Sequence, residues 1–406
     1  MTEGPVFTEL ARGGAVSIIK LVNSIVAEAE RLRASDIHID PQSGQLRIRY
    51  RIDGILNDVY SVPKAIHSEI ISRIKILAGL RTDEHQAAQD GRFRLNLESD
   101  NDRPLDIRVS IVPTYHGENA VLRLLSDKAE DFTLKSLGFS PANEAKIESA
   151  IRKPYGMILA TGPTGSGKTT TLYTILKILN TSDTSIVTIE DPVEYAIDGI
   201  EQIQVNPRTN LTFAQGLRSV LRQDPNIIMV GEIRDAETAG IAVNTALTGH
   251  LLLSTIHTND AATTLPRLLD MKIESFLIAS TVNVAIGQRL LRKICPECKT
   301  ERKITAVEIK SLQNVIRGAS LLATDTFYVG KGCSLCNNTG YLGRVGIHEV
   351  LLPDVKIREA ILRRGSASDI QAIAVANGMT TMIEDGFTKA QMGITSIEEV
   401  LRMLYE

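Results

Sequence analysis

The chain of 406 residues has no tryptophan, and nine tyrosines with eight phenylalanines keep aromatics at 4%. Stacking platforms for exposed bases are therefore scarce. Charge of one sign is lacking too: 45 basic against 48 acidic residues leave a formal net charge of −3. That balance gives no global reason to expect nucleic acid as a partner, although a local basic channel stays open. No apolar run approaches a membrane span, and the opening residues lack a basic-then-apolar signal pattern, so the expectation is a cytoplasmic chain. Cysteine is limited to four residues. They fall in two close pairs, which in a reducing compartment favours a metal over disulfides. What remains is an ordinary composition, 43% hydrophobic and 23% charged, in a chain long enough for two or three domains.

Against that background one stretch carries chemistry. Ile158-Leu159-Ala160-Thr161-Gly162-Pro163-Thr164-Gly165-Ser166-Gly167-Lys168-Thr169-Thr170 reads as a buried strand, a glycine-rich turn and the start of a helix. The glycines let backbone N–H groups point inward as a phosphate nest. The spacing G-x-x-x-x-G-K-T assigns Thr164, Gly165, Ser166, Gly167, Lys168, Thr169 and Thr170 to nucleotide binding. Lys168 is expected on the β/γ-phosphates, and the Thr169 hydroxyl on Mg²⁺ accompanying ATP.

Further apolar runs end in carboxylates. Ile186-Val187-Thr188-Ile189 runs into Glu190-Asp191-Pro192-Val193-Glu194, and Glu190 is the candidate that orients or deprotonates the attacking water. Ile227-Ile228-Met229-Val230 runs into Gly231-Glu232-Ile233-Arg234-Asp235, with glycine where an Mg²⁺-side aspartate is usual. Glu232 is expected to hold Mg²⁺ through water or to share the base role. His257, just after Leu251-Leu252-Leu253-Ser254-Thr255-Ile256, is expected at the γ-phosphate end, with His250 the weaker candidate. Arg222, Arg234, Arg267 and Arg289 are possible partners for a neighbouring subunit's nucleotide. These strands describe a RecA-like P-loop NTPase.

Before this engine, the residues up to 125 alternate as strands with two helices, an α+β domain with Asp53-Gly54 as a hairpin turn. Its strands are rich in arginine. Arg47 and Arg49 suit a solvated sheet face; Arg108 and Arg123 lie in otherwise apolar strands, where they could neutralise a phosphate if brought near it. After the engine, Cys295-Pro296-Glu297-Cys298 and Cys333-Ser334-Leu335-Cys336 supply four thiolates suited to one structural Zn²⁺. A redox pair and unliganded thiols are the rivals. The expected borders are 1–125 for the α+β domain, 126–136 for a linker, 137–290 for the ATPase core, 291–345 for a zinc subdomain and 346–406 for a C-terminal helical lobe able to move with nucleotide state.

Taken together, the sequence resembles the hexameric secretion ATPases, specifically those of type II secretion and type IV pilus assembly. The resemblance rests on Ser35-Asp36-Ile37-His38-Ile39, Arg49-Tyr50-Arg51-Ile52-Asp53-Gly54 and Gln89-Asp90-Gly91-Arg92 in the first domain. It continues in Thr188 to Glu194, Gly231 to Asp235, Thr248 to Ala261, Gln288-Arg289-Leu290, the four cysteines and Gly343-Arg344-Val345-Gly346-Ile347. It implies a PAS-like first domain, Glu190 as general base, Glu232 assisting at Mg²⁺, and His257 at the phosphate. It also implies that Arg108 and Arg123 reach toward bound nucleotide, and that Gly231 is normal in its place. The implied partners are five further copies in a homo-hexameric ring and an inner-membrane platform protein, with no nucleic acid. By the resemblance, retraction ATPases generally lack the tetracysteine motif, while pilus assembly and type II secretion ATPases carry it; pilus extension is the leading expectation, with type II secretion the alternative and a nucleic-acid translocase a more distant one. The chain starts near the helix before Ser35, which by the resemblance leaves out an extra N-terminal docking domain, through truncation or natural shortness.

Overall fold

The computed structural model describes residues 5–96, 104–125, 132–305 and 326–403. Part of the expected linker and the middle of the expected zinc subdomain, residues 126–131 and 306–325, lie outside this description. The chain divides into two compact units, Met1–Glu130 and Asp131–Glu406.

The first unit is a six-stranded antiparallel sheet in the order β3-β2-β1-β6-β5-β4. Its strands are β1 (Ala34–Pro41), β2 (Gln45–Ile52), β3 (Ile55–Pro63), β4 (Gln89–Asn96), β5 (Pro104–Thr114) and β6 (Gly117–Leu125). Alternation decides its two faces. Leu46, Ile48 and Tyr50 are fully buried, packed with Leu21, Ile25 and Val26 of helix α2 (Ile18–Arg31) and Ile70 and Ile74 of α3 (His67–Leu77); α1 (Pro5–Leu10) adds Val6. Each such side chain contributes about 1.5–3 kcal/mol, so Ile48→Ala would cost about 2–5 kcal/mol once its cavity is included. The intervening residues Arg47, Arg49 and Arg51 face the other way. Asp53 (φ 49°) and Gly54 (φ 88°) close the β2–β3 hairpin in the left-handed region that a two-residue turn requires.

The second unit is built on a seven-stranded sheet, β15-β12-β7-β11-β10-β8-β9. These strands are β7 (Gly156–Thr161), β8 (Ile186–Glu190), β9 (Glu201–Gln204), β10 (Ile227–Val230), β11 (Leu251–Ile256), β12 (Val282–Ile294) and β15 (Tyr341–Leu351). All pairings are parallel except β12 with β15. Every residue of β7, β8, β10 and β11 is buried, so the strands read as continuous apolar runs rather than alternating ones. One face packs on α7 (Phe213–Val220), α8 (Ala236–Leu247), α9 (Thr264–Asp270) and α10 (Ser275–Thr281). The other packs on α5 (Pro141–Ile151), which follows the short α4 (Leu134–Leu137), and on α6 (Lys168–Leu179).

Two expected borders fall inside strands. β12 continues past Leu290 to Ile294, and β15 spans 345/346, pairing Leu290 with Gly346 and Leu291 with Val345. The tetracysteine segment is thus an excursion from the ends of two paired core strands, with the small ribbon of β13 (Lys299–Lys303) and β14 (Thr326–Gly330) beside it. The C-terminal helices form as expected, but they share cores with the sheet rather than standing apart. Residues of α11 (Val355–Leu362) and α12 (Ala367–Ala376) join the cluster around β7 and β10. Phe387 of α13 (Met382–Gln391) and Val400 of α14 (Ile397–Arg402) pack with Leu291 and Ile347.

Candidate active site

Parallel pairing brings the carboxyl ends of β7, β11, β10 and β8 to one edge. Thr161 is opposite Ile256, Val230 is opposite Ser254, and Ile189 is opposite Val230. At this edge of an open α/β sheet the loops are free to build a site. The turn after β7 has Gly162 at φ 143°, Gly165 at φ 79° and Gly167 at φ 88°. A Cβ on Gly162 would stand 2.3 Å from the Gln288 carbonyl oxygen, whereas one on Gly165 would meet nothing within 4 Å. One glycine is thus required by packing against β12, and the other leaves an open approach to the backbone. Gln288 Nε2 donates to the Ser166 carbonyl at 2.7 Å, bracing the turn from β12. Ser166 Oγ is buried and has no hydrogen-bond partner among the described residues, a donor aimed into the loop. Lys168 Nζ donates to the carbonyls of Gly162 (2.8 Å) and Pro163 (3.0 Å). Burial lowers the Lys168 pKa, and the charge of Glu232 works against that shift. These features fit a polyphosphate.

The two candidate carboxylates live differently. Glu190, at the end of β8, is 2% exposed. Thr188 Oγ1 donates to its Oε1 at 2.5 Å, Gln202 Nε2 donates to the same oxygen at 3.2 Å, and the Tyr173 hydroxyl donates to Oε2. Burial is the first cause of its pKa being raised, with those three donors opposing. Glu232 instead has a charged partner: it is ion-paired with Arg234, and His257 Nε2 lies 2.9 Å from its Oε2. Arg234 also approaches Asp191, at 4.0 Å. Lys168, Glu232, Arg234, His257 and Asp191 therefore form one electrostatic group. Glu190 is adjacent by strand order but held in a separate cage of neutral donors.

The glycine before Glu232 has a packing reason. Gly231 N–H donates to the Ile189 carbonyl at 2.7 Å, and a Cβ there would stand 3.3 Å from Glu190 Cα and from that same oxygen. An aspartate there would need the neighbouring strand end to give by about a few tenths of an ångström.

His250 precedes β11, at the opposite edge, with Nδ1 3.2 Å from the Thr245 carbonyl. Arg222 and Arg289 donate to carbonyls of their own chain, those of Arg218 and Met403. Arg108 and Arg123 belong to the first unit, directly opposite each other on β5 and β6. They stand in one row across that sheet: Arg92, Arg108, Arg123, Asp36, Arg51. Asp36 accepts from Arg123 Nε at 3.0 Å and pairs with Arg51 at 3.5 Å. Arg49 and Arg47 pair with Asp40 (2.6 Å) and Asp58 (3.6 Å) on the same open face. Tyr173 and Gln202 were not anticipated, and Gln288 only as part of a motif, without its brace on the turn. Tyr173 left a signal, the one aromatic in its helix, five residues beyond Lys168.

The four cysteine sulfurs lie within 4.8 Å of one another. Three of the separations are 3.7, 3.8 and 3.7 Å. A tetrahedral ion with metal–sulfur bonds of about 2.3 Å has sulfur–sulfur edges of about 3.8 Å. Backbone N–H groups of Gly332, Cys333 and Gly340 point at these sulfurs at 3.2–3.3 Å, as a thiolate cluster needs. The group is able to hold a metal.

A phosphate-binding turn between a central parallel strand and a helix, with carboxylates on the neighbouring strand ends, defines an ATP-hydrolysing P-loop enzyme with a RecA-like core. Residues 12–402 match the family described as "Type II/IV secretion system protein", and the chain belongs to it. The type II secretion system protein HxcR of Pseudomonas aeruginosa is 46% identical over 386 residues, covering 95% of this chain and 77% of that one. The type IV pilus assembly ATPase PilB of Thermus thermophilus is 46% identical over 390 residues, covering 95% of this chain and 43% of that longer one. Among solved structures, the pilus retraction motor PilT with bound ADP is 26% identical with a TM-score of 0.63, covering 94% and 96% of the two chains. The chain is an ATP-driven motor of the secretion-ATPase superfamily. No helix among the described residues is long and apolar enough to cross a membrane.

Proposed function

We propose that the chain hydrolyses ATP at the β7–β11–β10 edge to drive type II secretion, with type IV pilus extension as the second reading. Relatives of both kinds match nearly the whole chain at similar identity, and type II secretion proteins are the more numerous among the strongest matches. This reverses the order of the two readings expected from sequence, between which the cysteine motif does not choose. The observation that supports the site most is the web joining Glu232 to Arg234, His257 and the field at Lys168. Lys168 and the loop N–H groups of Thr164 to Thr170 neutralise the phosphates, and His257 contacts the terminal one. Thr169, and Glu232 through water, would hold Mg²⁺, whose charge stabilises the developing phosphate oxygens.

In this reading Glu232 directs the attacking water, and Glu190 supports the strand end from which Asp191 projects. Arg108 and Arg123 of the first unit add positive charge to the nucleotide. Cys295, Cys298, Cys333 and Cys336 hold one structural Zn²⁺. Six copies form a ring that acts on an inner-membrane platform protein from the cytoplasmic side, without nucleic acid. Glu232→Gln tests the core of this reading: ATP binding is retained while phosphate release falls by about 10²-fold or more. Unaltered release would remove Glu232 from the chemistry. Elemental analysis of the purified full chain, finding one zinc per chain that is lost in Cys333→Ser, tests the metal.

A further inference from the structure

The mechanism above leaves unused one carboxylate buried deep in the second unit. Glu349, on β15, is 2% exposed. Its Oε1 accepts from the Ala261 N–H at 2.7 Å, and its Oε2 accepts from the Met382 N–H at 3.3 Å. Ala261 lies in the loop that runs from His257 to Thr263, and Met382 is the first residue of α13. The same loop is held from its other side. Thr161, the last residue of β7, donates through Oγ1 to the Thr258 carbonyl at 2.8 Å, and the Thr258 N–H donates back to that Oγ1 at 3.1 Å. Thr161, Gly287 and Glu349 are register partners across β7, β12 and β15.

Gly287 in the middle of this row keeps the path clear. A Cβ on it would stand 2.9 Å from both Cγ and Oε1 of Glu349 and 3.0 Å from the Ala261 nitrogen. Its place in the strand is a packing requirement for the Glu349–Ala261 bond. An aliphatic residue could fill the space at 349, but it would leave the Ala261 N–H buried without its acceptor. The energetic cost of burying a carboxylate therefore goes with a specific job, holding two N–H groups from distant parts of the chain at once.

We propose that Glu349 is a positioning residue for ATP hydrolysis: its two oxygens tie the His257 loop to the first turn of α13, so that the C-terminal helices set where His257 stands beside Glu232. This deepens the reading of His257 given above and rests on it. The link is local and two-ended, so a displacement of α13 acts on His257 through four residues of loop.

The test is a double-mutant cycle on the full chain, with ATP turnover read as kcat and KM separately. Glu349→Gln keeps the shape but turns one acceptor into a donor. It lowers kcat roughly tenfold, as expected for losing one buried hydrogen bond, with KM within about two-fold. His257→Ala also lowers kcat, and adding Glu349→Gln to it costs less than about two-fold more. Gly287→Ala, which crowds the same bond, reproduces this non-additivity and carries the cycle if Glu349→Gln does not fold. An impaired His257→Ala beside an unaffected Glu349→Gln overturns this inference alone. Equal losses from Glu349→Gln with and without His257 do the same. Normal turnover in His257→Ala overturns both this inference and the role given to His257.

Discussion

Glu190 and Glu232 stand at the ends of adjacent parallel strands, both buried, yet their surroundings are opposite in kind. Glu190 is enclosed by two hydroxyls and an amide, Glu232 by a guanidinium and an imidazole that stay partly open to solvent. Three neutral donors fill most of the Glu190 carboxylate's roughly four acceptor sites, and its burial closes the remaining one to bulk solvent. Ionic partners at a solvent-facing edge hold a carboxylate in place while keeping it reachable, and they bring its charge near Lys168. Being a glutamate at a strand's carboxyl end is thus not enough to define a base; what its oxygens are already doing decides.

The largest effect that would break this contrast is kinetic. Glu232→Gln is expected to cost at least about 10²-fold in kcat, whereas Glu190→Gln costs less than about tenfold. Steady-state phosphate release at saturating Mg-ATP measures both. A reversed ranking would mean that the Glu190 cage opens during turnover, and the base would then be Glu190.

The next effect is on stability. Glu190→Ala strands the buried Tyr173 and Thr188 hydroxyl donors, while Gln202 Nε2 keeps the Tyr195 carbonyl, and is expected to cost about 2–4 kcal/mol. Glu190→Gln stays within about 1 kcal/mol, because the Tyr173 and Thr188 hydroxyls can turn to accept from the new amide. Urea unfolding curves compare the two; equal losses would show that the cage contributes nothing beyond packing.

Sequence pattern made half of this comparison legible. The P-loop, the strand-end carboxylates and His257 are local signals, because a parallel sheet brings strand ends together wherever strands alternate with helices. The cage was not legible: Tyr173 and Gln202 come from a helix and an edge strand, and only tertiary packing sets them against Glu190. The same reason hid β12 and β15, whose pairing is interrupted in sequence by the cysteine turns. In the first unit, by contrast, alternating Leu46, Ile48 and Tyr50 against Arg47, Arg49 and Arg51 announced both faces of the sheet. Pairing of those arginines with Asp40, Asp58 and Asp36 then depended on registers that a sequence does not print.

The smallest effect asks which term wins inside the cage. Burial raises the Glu190 pKa from the ordinary 4.5, and the three donors pull it down without cancelling the rise. The folded chain therefore keeps this proton to higher pH than the unfolded chain does. As pH rises from about 4.5 through the folded titration, the unfolded state releases its proton first, so Glu190 makes folding less favourable with rising pH in that window. The slope is at most about 1.4 kcal/mol per pH unit for one group. Glu349, raised by burial to about 7, and Asp385, also raised by burial, contribute in the same direction, so the difference between wild type and Glu190→Gln isolates Glu190. Unfolding free energies measured from pH 4 upward are expected to give a difference that falls with pH and then levels. A difference that rises with pH would mean that the donors outweigh burial and that Glu190 is held as an anion, erasing much of its distinction from Glu232.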